Sequence, residues 1–250
     1  MGRTTFSNIL ANRATENKEK YNIDKVVIIN EETSCPNQTK HQCYINSHAE
    51  KSTRSALKAE FDRKSGKDGK KTLILFDSLN YIKGFRYELY CITKASSDKH
   101  GVVWVQCEES TAKRWNQERI QRLGELSSSS SCSFYTEEIM DGLNYRYEPP
   151  DERNRWDKPL YHVDMNNFVS FTSLGSAGRS DLSPDGQMNV DETERKKSLE
   201  QKADEILDSF LLQVKPLKMG VSTQTPFPAS SNVSLLFVIW RHGHLNQIHY

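Results

Sequence analysis

Short apolar runs recur along the first two thirds of the chain and predict buried β-strands. Residues 25–30, 72–77 and 101–107 are rich in β-branched or aromatic side chains and show little alternation between apolar and polar positions. Strands that are apolar on both faces are typical of a parallel sheet that is covered by helices on both sides. Residues 160–163 are a shorter candidate for a last strand.

Helical periodicity fills the intervals between these runs. Apolar positions repeat every three or four residues over residues 5–20, 49–64 and 85–95, as expected for helices with one buried face. The alternation of helix and strand is the signature of a parallel sheet with crossover helices. The sequence therefore predicts an α/β fold, and its pattern begins on a helix with no strand before it.

The second half of the chain divides by composition. Residues 111–121 and 135–147 show further helical periodicity, whereas Gly, Ser, Asn and Asp dominate residues 164–193 and predict a flexible linker. Residues 194–214 have the clearest helical pattern. Its single apolar face consists of Leu199, Ala203, Ile206, Leu207, Phe210, Leu211 and Val214. We therefore predict one domain over residues 1–163, then the linker, a smaller helical region over 194–228 and a tail over 229–250.

Charge and cysteine content narrow the class of protein. The chain has 34 basic and 33 acidic residues, which argues against a broadly basic nucleic-acid binder, although residues 181–208 form an acidic segment. Five cysteines without paired spacing, and no secretory signal, predict a reduced intracellular protein. The longest apolar run, residues 233–240, is too short to span a membrane.

Two short segments are candidates for nucleotide chemistry. Asp77 ends a buried strand, where a carboxylate faces the crevice in which parallel sheets bind ligands and can hold the Mg²⁺ of a nucleoside triphosphate. Residues 2–5 open the first helix and match the end of a phosphate-binding G-x-x-x-x-G-K-[ST] loop. Arg3 stands at the Lys position of that loop, and Thr4 offers the metal-binding hydroxyl. The alternative for Asp77 is a helix cap or a loop residue with Ser78 as its hydrogen-bonding neighbour, and the alternative for residues 2–5 is a helix N-terminus with Thr caps.

Five sequence blocks in the same order resemble the Elongator-associated P-loop ATPase family that is named for killer-toxin insensitivity. The first is residues 77–94, DSLNYIKGFRYELYCITK, and the others are residues 115–119, 148–160, 201–210 and 216–226. This family is similar in fold to the kinases that phosphorylate seryl-tRNA in selenocysteine synthesis. The resemblance implies an ATPase that assists the Elongator complex in modifying wobble uridines of tRNA, in the cytoplasm and the nucleus.

The resemblance also assigns roles to residues. Gly2, Arg3, Thr4 and Thr5 would bind the nucleotide phosphates, and Thr4 and Asp77 would hold Mg²⁺. Residues 194–228 would form the tRNA-binding region. Arg153 and Arg155, which follow two prolines, would close over the phosphates or, alternatively, form a self-neutralised turn with the neighbouring acids. The sequence names no general base.

Three departures from the family pattern lead to further expectations. The phosphate-binding loop lacks its first Gly and the strand before it, the usual Lys is Arg3, and residues 230–250 do not resemble the helical C-terminus of the family. We expect a partial, misassembled or spliced product that binds Mg-ATP weakly and lacks a central strand. Residues 233–240 are the one segment apolar enough to fill that gap, and the alternative is a surplus tail.

Two other functions stay open from the sequence: a P-loop kinase for RNA or a small substrate, and a non-catalytic protein that binds Elongator or tRNA. Lys83 and Arg86 are either phosphate or RNA contacts or solvated charges at a helix start. The basic run 58–71 has the same two interpretations. For Trp115 and Trp156, core packing is favoured over base stacking.

The segment from residue 35 to residue 48 contains two cysteines and two histidines and raises the question of a zinc site. These residues are Cys35, His41, Cys43 and His48. Their spacing does not match the C-x₂-C pair of common zinc sites, so a polar loop and no structural metal are expected.

Overall fold

The computed structural model describes residues 2–65, 71–125, 134–166, 188–212 and 231–241. The elements are α1 (Gly2–Glu16), α2 (Lys18–Tyr21), β1 (Lys25–Ile29), α3 (Glu31–Ser34), α4 (Lys40–Tyr44), α5 (Ser47–Lys64), β2 (Thr72–Asp77), α6 (Lys83–Ala95), β3 (Lys99–Glu108), α7 (Glu109–Glu125), α8 (Glu137–Tyr145), a 3-10 turn (Arg155–Asp157), β4 (Leu160–Asp164), α9 (Met188–Leu211) and β5 (Ser231–Arg241). The four predicted strands of residues 1–163 are therefore confirmed, and the helix predicted over residues 5–20 is divided into α1 and α2. Most of the predicted linker and residues 213–230 lie outside the described residues. Within the described ranges, no helix combines the length and apolar character that crossing a bilayer requires.

The five strands form one sheet in the order β1-β2-β5-β3-β4. β1 runs parallel to β2, with Val26 opposite Leu73, and β3 runs parallel to β4, with Val102 opposite Leu160. The predicted parallel sheet is thus present as two parallel pairs. The helical connections between the strands of each pair are the crossovers that the alternating pattern indicated.

β5 joins the two parallel pairs from the centre of the sheet. It is antiparallel to both of its neighbours, with Val238 opposite Leu75 on one side and opposite Gly101 on the other. This confirms that residues 233–240 fill the position between β2 and β3 and are not a surplus tail. The antiparallel direction makes the sheet mixed, which is common in larger α/β proteins.

Alternate residues of β2 belong to two separate cores. Leu73 and Leu75 face a core that is built from α1 and α9, whereas Ile74 and Phe76 face a core built from α5 and α6. Every residue of β2 is buried. The absence of an apolar and polar alternation in this strand therefore reflects the helices that cover both faces of the sheet.

The apolar face of α9 is the face that the periodicity predicted. Leu199, Ala203, Ile206, Leu207 and Phe210 are at most 5% exposed and lie in the same core as α1 and the sheet. Burial of each large apolar side chain contributes about 1.5–3 kcal/mol to stability. α9 is thereby fixed to the sheet domain, and the domain limits at residues 163 and 193 stay predictions.

Polar contacts hold α9 to α1 and α2 at the edge of this core. Arg13 donates to both carboxylate oxygens of Asp204, at 3.0 and 2.6 Å. Asp208 accepts from the Tyr21 hydroxyl at 2.8 Å and lies 2.6 Å from Lys20 Nζ. These contacts set the rotation of α9 because they flank its apolar face.

The segment between β1 and α5 folds into two short helices that the sequence did not predict. Each begins with a capping box, in which Asn30 pairs with Thr33 at α3 and Thr39 pairs with Gln42 at α4. Cys43 is fully buried and packs beside Tyr81. The predicted polar loop is therefore wrong here, because local caps and a small apolar core order the segment.

A buried polar cluster at the ends of β1 and β2

Five polar side chains from α1, α3, α4 and the end of β2 meet beside the carboxyl ends of two parallel strands. The carboxyl ends of β1 and β2 lie side by side, so the residues that follow them meet at one edge of the sheet. The first turn of α1 faces the same edge. The resulting buried polar cluster consists of Arg3, Glu31, Tyr44, Asp77 and Ser78, each of which is at most 5% exposed. Ligands of open α/β sheets bind at this kind of edge.

Arg3 and Asp77, which the sequence singled out separately, form an ion pair in this cluster. Arg3 Nε donates to Asp77 Oδ1, and Arg3 Nη2 lies 3.8 Å from Glu31 Oε2. Burial lowers the pKa of Arg3, but the charges of Asp77 and Glu31 raise it by more, so the net shift is upward. Arg3 therefore stays protonated and neutralises Asp77 in this structure.

Glu31 is the second carboxylate of the cluster, and one of its oxygens is held by two hydrogen bonds. Oε1 accepts hydrogen bonds from the Tyr44 hydroxyl at 2.7 Å and from the Ser78 hydroxyl at 2.8 Å. Burial, and then the charge of Glu31, raise the pKa of Tyr44 well above its ordinary value. Tyr44 thus remains a hydrogen-bond donor, while Glu31 Oε2 has no hydrogen-bond partner within the described residues.

Loops behind the cluster are fixed by amide side chains. Asn80 has a positive φ of 52° and donates to the Ser78 carbonyl at 2.9 Å. Asn116 of α7 bonds both backbone groups of Tyr135, and the Tyr135 ring packs edge-on against Tyr44 at 5.8 Å between centroids. The loop residue Asn80 therefore fixes the backbone at Ser78, and α7 supports the position of Tyr44 through Tyr135.

The predicted phosphate-binding residues of α1 have different environments. Gly2 is buried, and a Cβ at this position would lie 2.9 Å from Met165 Cγ, so close packing alone accounts for a glycine. Thr4 is half-buried and Thr5 is exposed. Arg3 is the residue of this group that the structure brings to Asp77, and the phosphate and metal roles of the others stay predictions.

The oxygen donors of the cluster fit a magnesium ion that is bound together with a nucleotide. Mg²⁺ prefers hard oxygen ligands and is usually bound by one or two carboxylates plus substrate phosphates. Asp77 supplies a carboxylate of this kind, whereas Oε1 of the neighbouring Glu31 is occupied by the hydroxyls of Tyr44 and Ser78. Within the described ranges, this cluster included, no group of three or more His, Cys, Asp or Glu side chains could hold a metal ion by itself.

Arg153 and Arg155 lie away from this hydrogen-bond network. Arg153 is 90% exposed and forks onto Asp151, at 2.6 Å for the closest contact, which lowers the pKa of Asp151 to about 2. This is the self-neutralised turn that the sequence offered as one interpretation. Arg155 is exposed at the start of the 3-10 turn. Their proposed closure over phosphates stays a prediction.

Arg86 requires a correction, since it is neither a phosphate contact nor a solvated charge. Its side chain is 0% exposed, and Nε donates to the equally buried Asp157 at 2.8 Å. Its Nη1 atom donates to the Glu148 carbonyl at 2.9 Å. Arg86 is thus a structural residue that ties the loop around residues 148–157 to α6.

The two tryptophans and Lys83 pack on the protein itself. Trp115 is 6% exposed in the core with α1, as predicted. Trp156 packs edge-on against Tyr87 at 5.2 Å, and Lys83 Nζ lies 5.4 Å from its ring centre. Of the basic run 58–71, Lys58 pairs with Glu88 at 2.7 Å, and residues 66–70 lie outside the described residues.

Fold and site together define a class of protein. A sheet with crossover helices, in which a carboxylate ends the strand β2 and faces the first turn of α1, is a P-loop NTPase-like fold. The chain is similar to the crystal structure of Chaetomium thermophilum Kti12 in complex with ADP-AlF3. The TM-score is 0.57 and the identity 25%, and the match covers 84% of this chain and 93% of that chain.

Residues 1–236 match the family described as Chromatin associated protein KTI12, and the chain belongs to this family. It is 38% identical over 138 residues to the Protein KTI12 homolog of Danio rerio. This match covers 55% of this chain and 46% of that protein. It is 40% identical over 124 residues to the Protein KTI12 homolog of Arabidopsis thaliana. This match covers 50% of this chain and 37% of that protein. The chain thus spans less than half the length of these curated relatives. The family resemblance that the five sequence blocks indicated is confirmed.

Sequence reasoning missed Glu31, Tyr44 and Ser78. A signal for Glu31 was available, because a carboxylate directly follows an apolar strand here as it does at Asp77. The capping box at Asn30 also predicts a turn that points the next residues back toward the sheet edge. Tyr44 and Ser78 carry no such signal, since their contacts with Glu31 join residues 13 and 47 positions apart.

Proposed function

We propose that this chain is an ATP-binding P-loop protein that acts as an ATPase accessory to the Elongator complex in the modification of tRNA wobble uridines. The observation that carries the proposal is the buried polar cluster, with Arg3 and two carboxylates at the ligand-binding edge of the sheet. The ADP-AlF3 bound to the Chaetomium relative supports nucleotide binding. Elongator and tRNA are proposed from the resemblance of the five blocks.

The residues of the cluster would have distinct roles toward Mg-ATP. Asp77 and Thr4 would hold Mg²⁺, and Arg3 would turn from Asp77 to the β- and γ-phosphates, beside the backbone amides of residues 2–5. When bound, Mg²⁺ would supply positive charge that offsets the negative charge of the phosphates. The ion pair of Arg3 and Asp77 supports this scheme, since each group keeps a partner of opposite charge before and after nucleotide binding.

Two further lines of the proposal concern where the protein acts and what it contacts. We place it in the cytoplasm and the nucleus, and the family description as chromatin associated supports the nuclear part. Residues 194–228 are proposed as a tRNA-binding region. This part of the proposal rests on the resemblance of the blocks at residues 201–210 and 216–226.

Titration calorimetry and a hydrolysis assay on the 250-residue chain test the proposal. We expect binding of ADP that depends on Mg²⁺, and phosphate release from ATP that increases when tRNA is added. A chain that binds neither ADP nor ATP at millimolar concentration would contradict nucleotide binding. Hydrolysis that does not respond to tRNA would contradict the accessory role but not the binding site.

A P-loop kinase is the second candidate, and a groove beside the cluster favours it. The groove has a volume of about 420 Å³ and lies between α4, α5 and α8. Tyr44 is among the residues that line it, and the Tyr44 hydroxyl donates to Glu31 in the cluster. A phosphoryl acceptor seated there would be one side chain away from the nucleotide. Transfer of labelled phosphate from ATP to RNA or to a small hydroxyl compound, in place of release to water, would identify a kinase.

A further inference from the structure

Glu31 has one oxygen whose environment the proposed roles do not explain. The side chain is 2% exposed, and its Oε2 atom has no hydrogen-bond partner within the described residues. Buried polar atoms nearly always have a partner, so each exception requires an explanation. The other oxygen, Oε1, already accepts two hydroxyl hydrogen bonds, from Tyr44 and Ser78. These two bonds fix the plane of the carboxylate and leave Oε2 as its reactive atom.

The direction of Oε2 is defined by its neighbour. Arg3 Nη2 lies 3.8 Å from Oε2, which is too long for a hydrogen bond, and Arg3 Nη1 is also without a partner. Arg3 is the side chain proposed to bind the β- and γ-phosphates. Glu31 Oε2 is therefore an open acceptor beside the side chain that is proposed to bind the terminal phosphate.

We infer that Glu31 orients the water molecule that attacks the γ-phosphate of ATP, an inference that rests on the proposed function. Oε2 accepts a hydrogen bond from that water. The water oxygen forms a bond to γ-phosphorus while the bond from γ-phosphorus to the β,γ-bridging oxygen breaks, and ADP leaves with that electron pair. The water proton passes to Glu31 Oε2 and from there to solvent.

The other members of the cluster do not fit this role. Asp77 is paired with Arg3 and is assigned to Mg²⁺. Tyr44 and Ser78 act as donors to Glu31, and the raised pKa of Tyr44 removes it as a base. Glu31 is thus the carboxylate of the cluster with an open acceptor atom, and in phosphoryl transfer a side chain of this kind positions the nucleophile.

Glu31→Gln is the sharpest variant for a test. The Gln amide oxygen can still accept from Tyr44 and Ser78, whereas its NH₂ group stands at the Oε2 position and cannot accept from water. Glu32→Gln is the matched control, because Glu32 is adjacent in sequence and its side chain is 60% exposed. Glu31→Asp restores a carboxylate at a shorter reach.

Two measurements on the full 250-residue chain separate the possible outcomes. We expect kcat for ATP hydrolysis to fall by about 10²–10⁴-fold in Glu31→Gln with KM changed by less than about threefold, the effect typical of a lost proton acceptor. In calorimetry with Mg²⁺, wild type should bind ADP plus aluminium fluoride more tightly than ADP, and Glu31→Gln should lose this difference but keep its ADP affinity. Glu32→Gln should behave as wild type, and Glu31→Asp should regain part of kcat.

Each contrary result has a defined meaning. If Glu31→Gln keeps wild-type kcat, or keeps the tighter binding with aluminium fluoride, Glu31 does not orient the water. If Glu31→Gln loses ADP affinity together with its thermal unfolding transition, Glu31 is a folding residue and the inference is wrong. If wild type binds no ADP, the proposed function itself fails, and this inference fails with it.

Discussion

Asp77 shows how one side chain can serve both the fold and the proposed chemistry. It ends β2 and neutralises Arg3, which is 5% exposed. A buried charge that loses its partner is strongly destabilising. Under the proposed function, phosphates would replace Asp77 as the partner of Arg3, and Mg²⁺ would replace Arg3 as the partner of Asp77.

In Asp77→Asn, ATP turnover should fall by on the order of 10²-fold or more, because a metal held on the phosphates stabilises the transition state by several kcal/mol. ADP affinity should weaken only modestly, since the carboxylate does not hold the base. Steady-state kinetics and calorimetry measure the two effects. Asp62→Asn, on the exposed side of α5, is the control. Turnover within a fewfold of wild type would reduce Asp77 to a strand-end carboxylate.

Arg86 gives a prediction about stability alone. Arg86→Leu leaves the buried Asp157 without its counter-charge and three backbone carbonyls without their donor. We expect a loss of about 3–5 kcal/mol in the free energy of unfolding, measured by urea denaturation. Arg153→Ala, which breaks an exposed pair, should leave the urea midpoint unchanged. An Arg86→Leu protein of wild-type stability would show that Asp157 is not buried with its charge.

At the scale of single residues, the sequence predicted the candidates but not their partners. Arg3 and Asp77 were identified separately, from a loop motif and a strand end, and their contact spans 74 positions. Arg86 was misinterpreted because a charge at a helix start is usually solvated. Its burial depends on Asp157, which lies 71 positions away and gives no local signal.

At the scale of elements, an ion pair joins Glu50 of α5 to Arg146, the residue that follows α8, and both residues line the groove. Glu50 accepts two hydrogen bonds from Arg146, at 2.8 and 2.7 Å, and one from the Tyr81 hydroxyl. Burial raises the pKa of Glu50, but the bonds from Arg146 and Tyr81 and the arginine charges lower it by more. The net pKa in the folded protein lies below the ordinary value of 4.5.

This shift predicts a loss of stability in acid. Because the folded state holds the proton less tightly than the unfolded state, the contribution of Glu50 is fully present above pH 4.5 and is lost as the pH falls through the lower, folded-state pKa. The difference in urea midpoint between wild type and Glu50→Gln should therefore shrink as the pH is lowered below 4.5. Glu137→Gln, on the exposed side of α8, serves as control. A difference that stays constant over this range would contradict the assignment.

Element length explains which helices the sequence could predict. The pattern of α9 extends over several turns, and its apolar face is the buried one. α3 and α4 have four and five residues, which is too short for periodicity to appear. Only the capping boxes at their first turns indicate these helices in the sequence.

For the molecule as a whole, β5 is the element on which the sheet depends. It pairs with β2 and β3 at once, so both of these strands would become edges without it. An apolar run predicts that residues 233–240 form a strand, but it does not predict the direction of that strand. The direction of β5 and its place in the sheet follow from the chain connections and from the open edges of β2 and β3, whose backbone groups it pairs with.

Deletion of residues 229–250 should therefore abolish cooperative unfolding of the chain. The backbone groups of β2 and β3 that face β5 would lose their partners, and buried unpaired groups of this kind are rare in native proteins. Urea denaturation, and amide hydrogen exchange over residues 72–77 and 99–108, measure the effect. Truncation after residue 241 keeps β5 and serves as control. A soluble monomer with unchanged melting after the larger deletion would show that the sheet is complete without β5.

The central position of β5 also bears on the order in which the protein folds. Leu75 pairs with Val238 across 163 positions of sequence, whereas Val26 pairs with Leu73 across 47. Proteins dominated by such distant contacts fold slowly, because long loops must close before the contacts form. During synthesis, β2 and β3 leave the ribosome well before residues 231–241, and their backbone groups that face β5 stay unpaired until then. An edge exposed in this way is a site of aggregation, so the yield of folded protein should depend on how long the ribosome and chaperones protect those two strands.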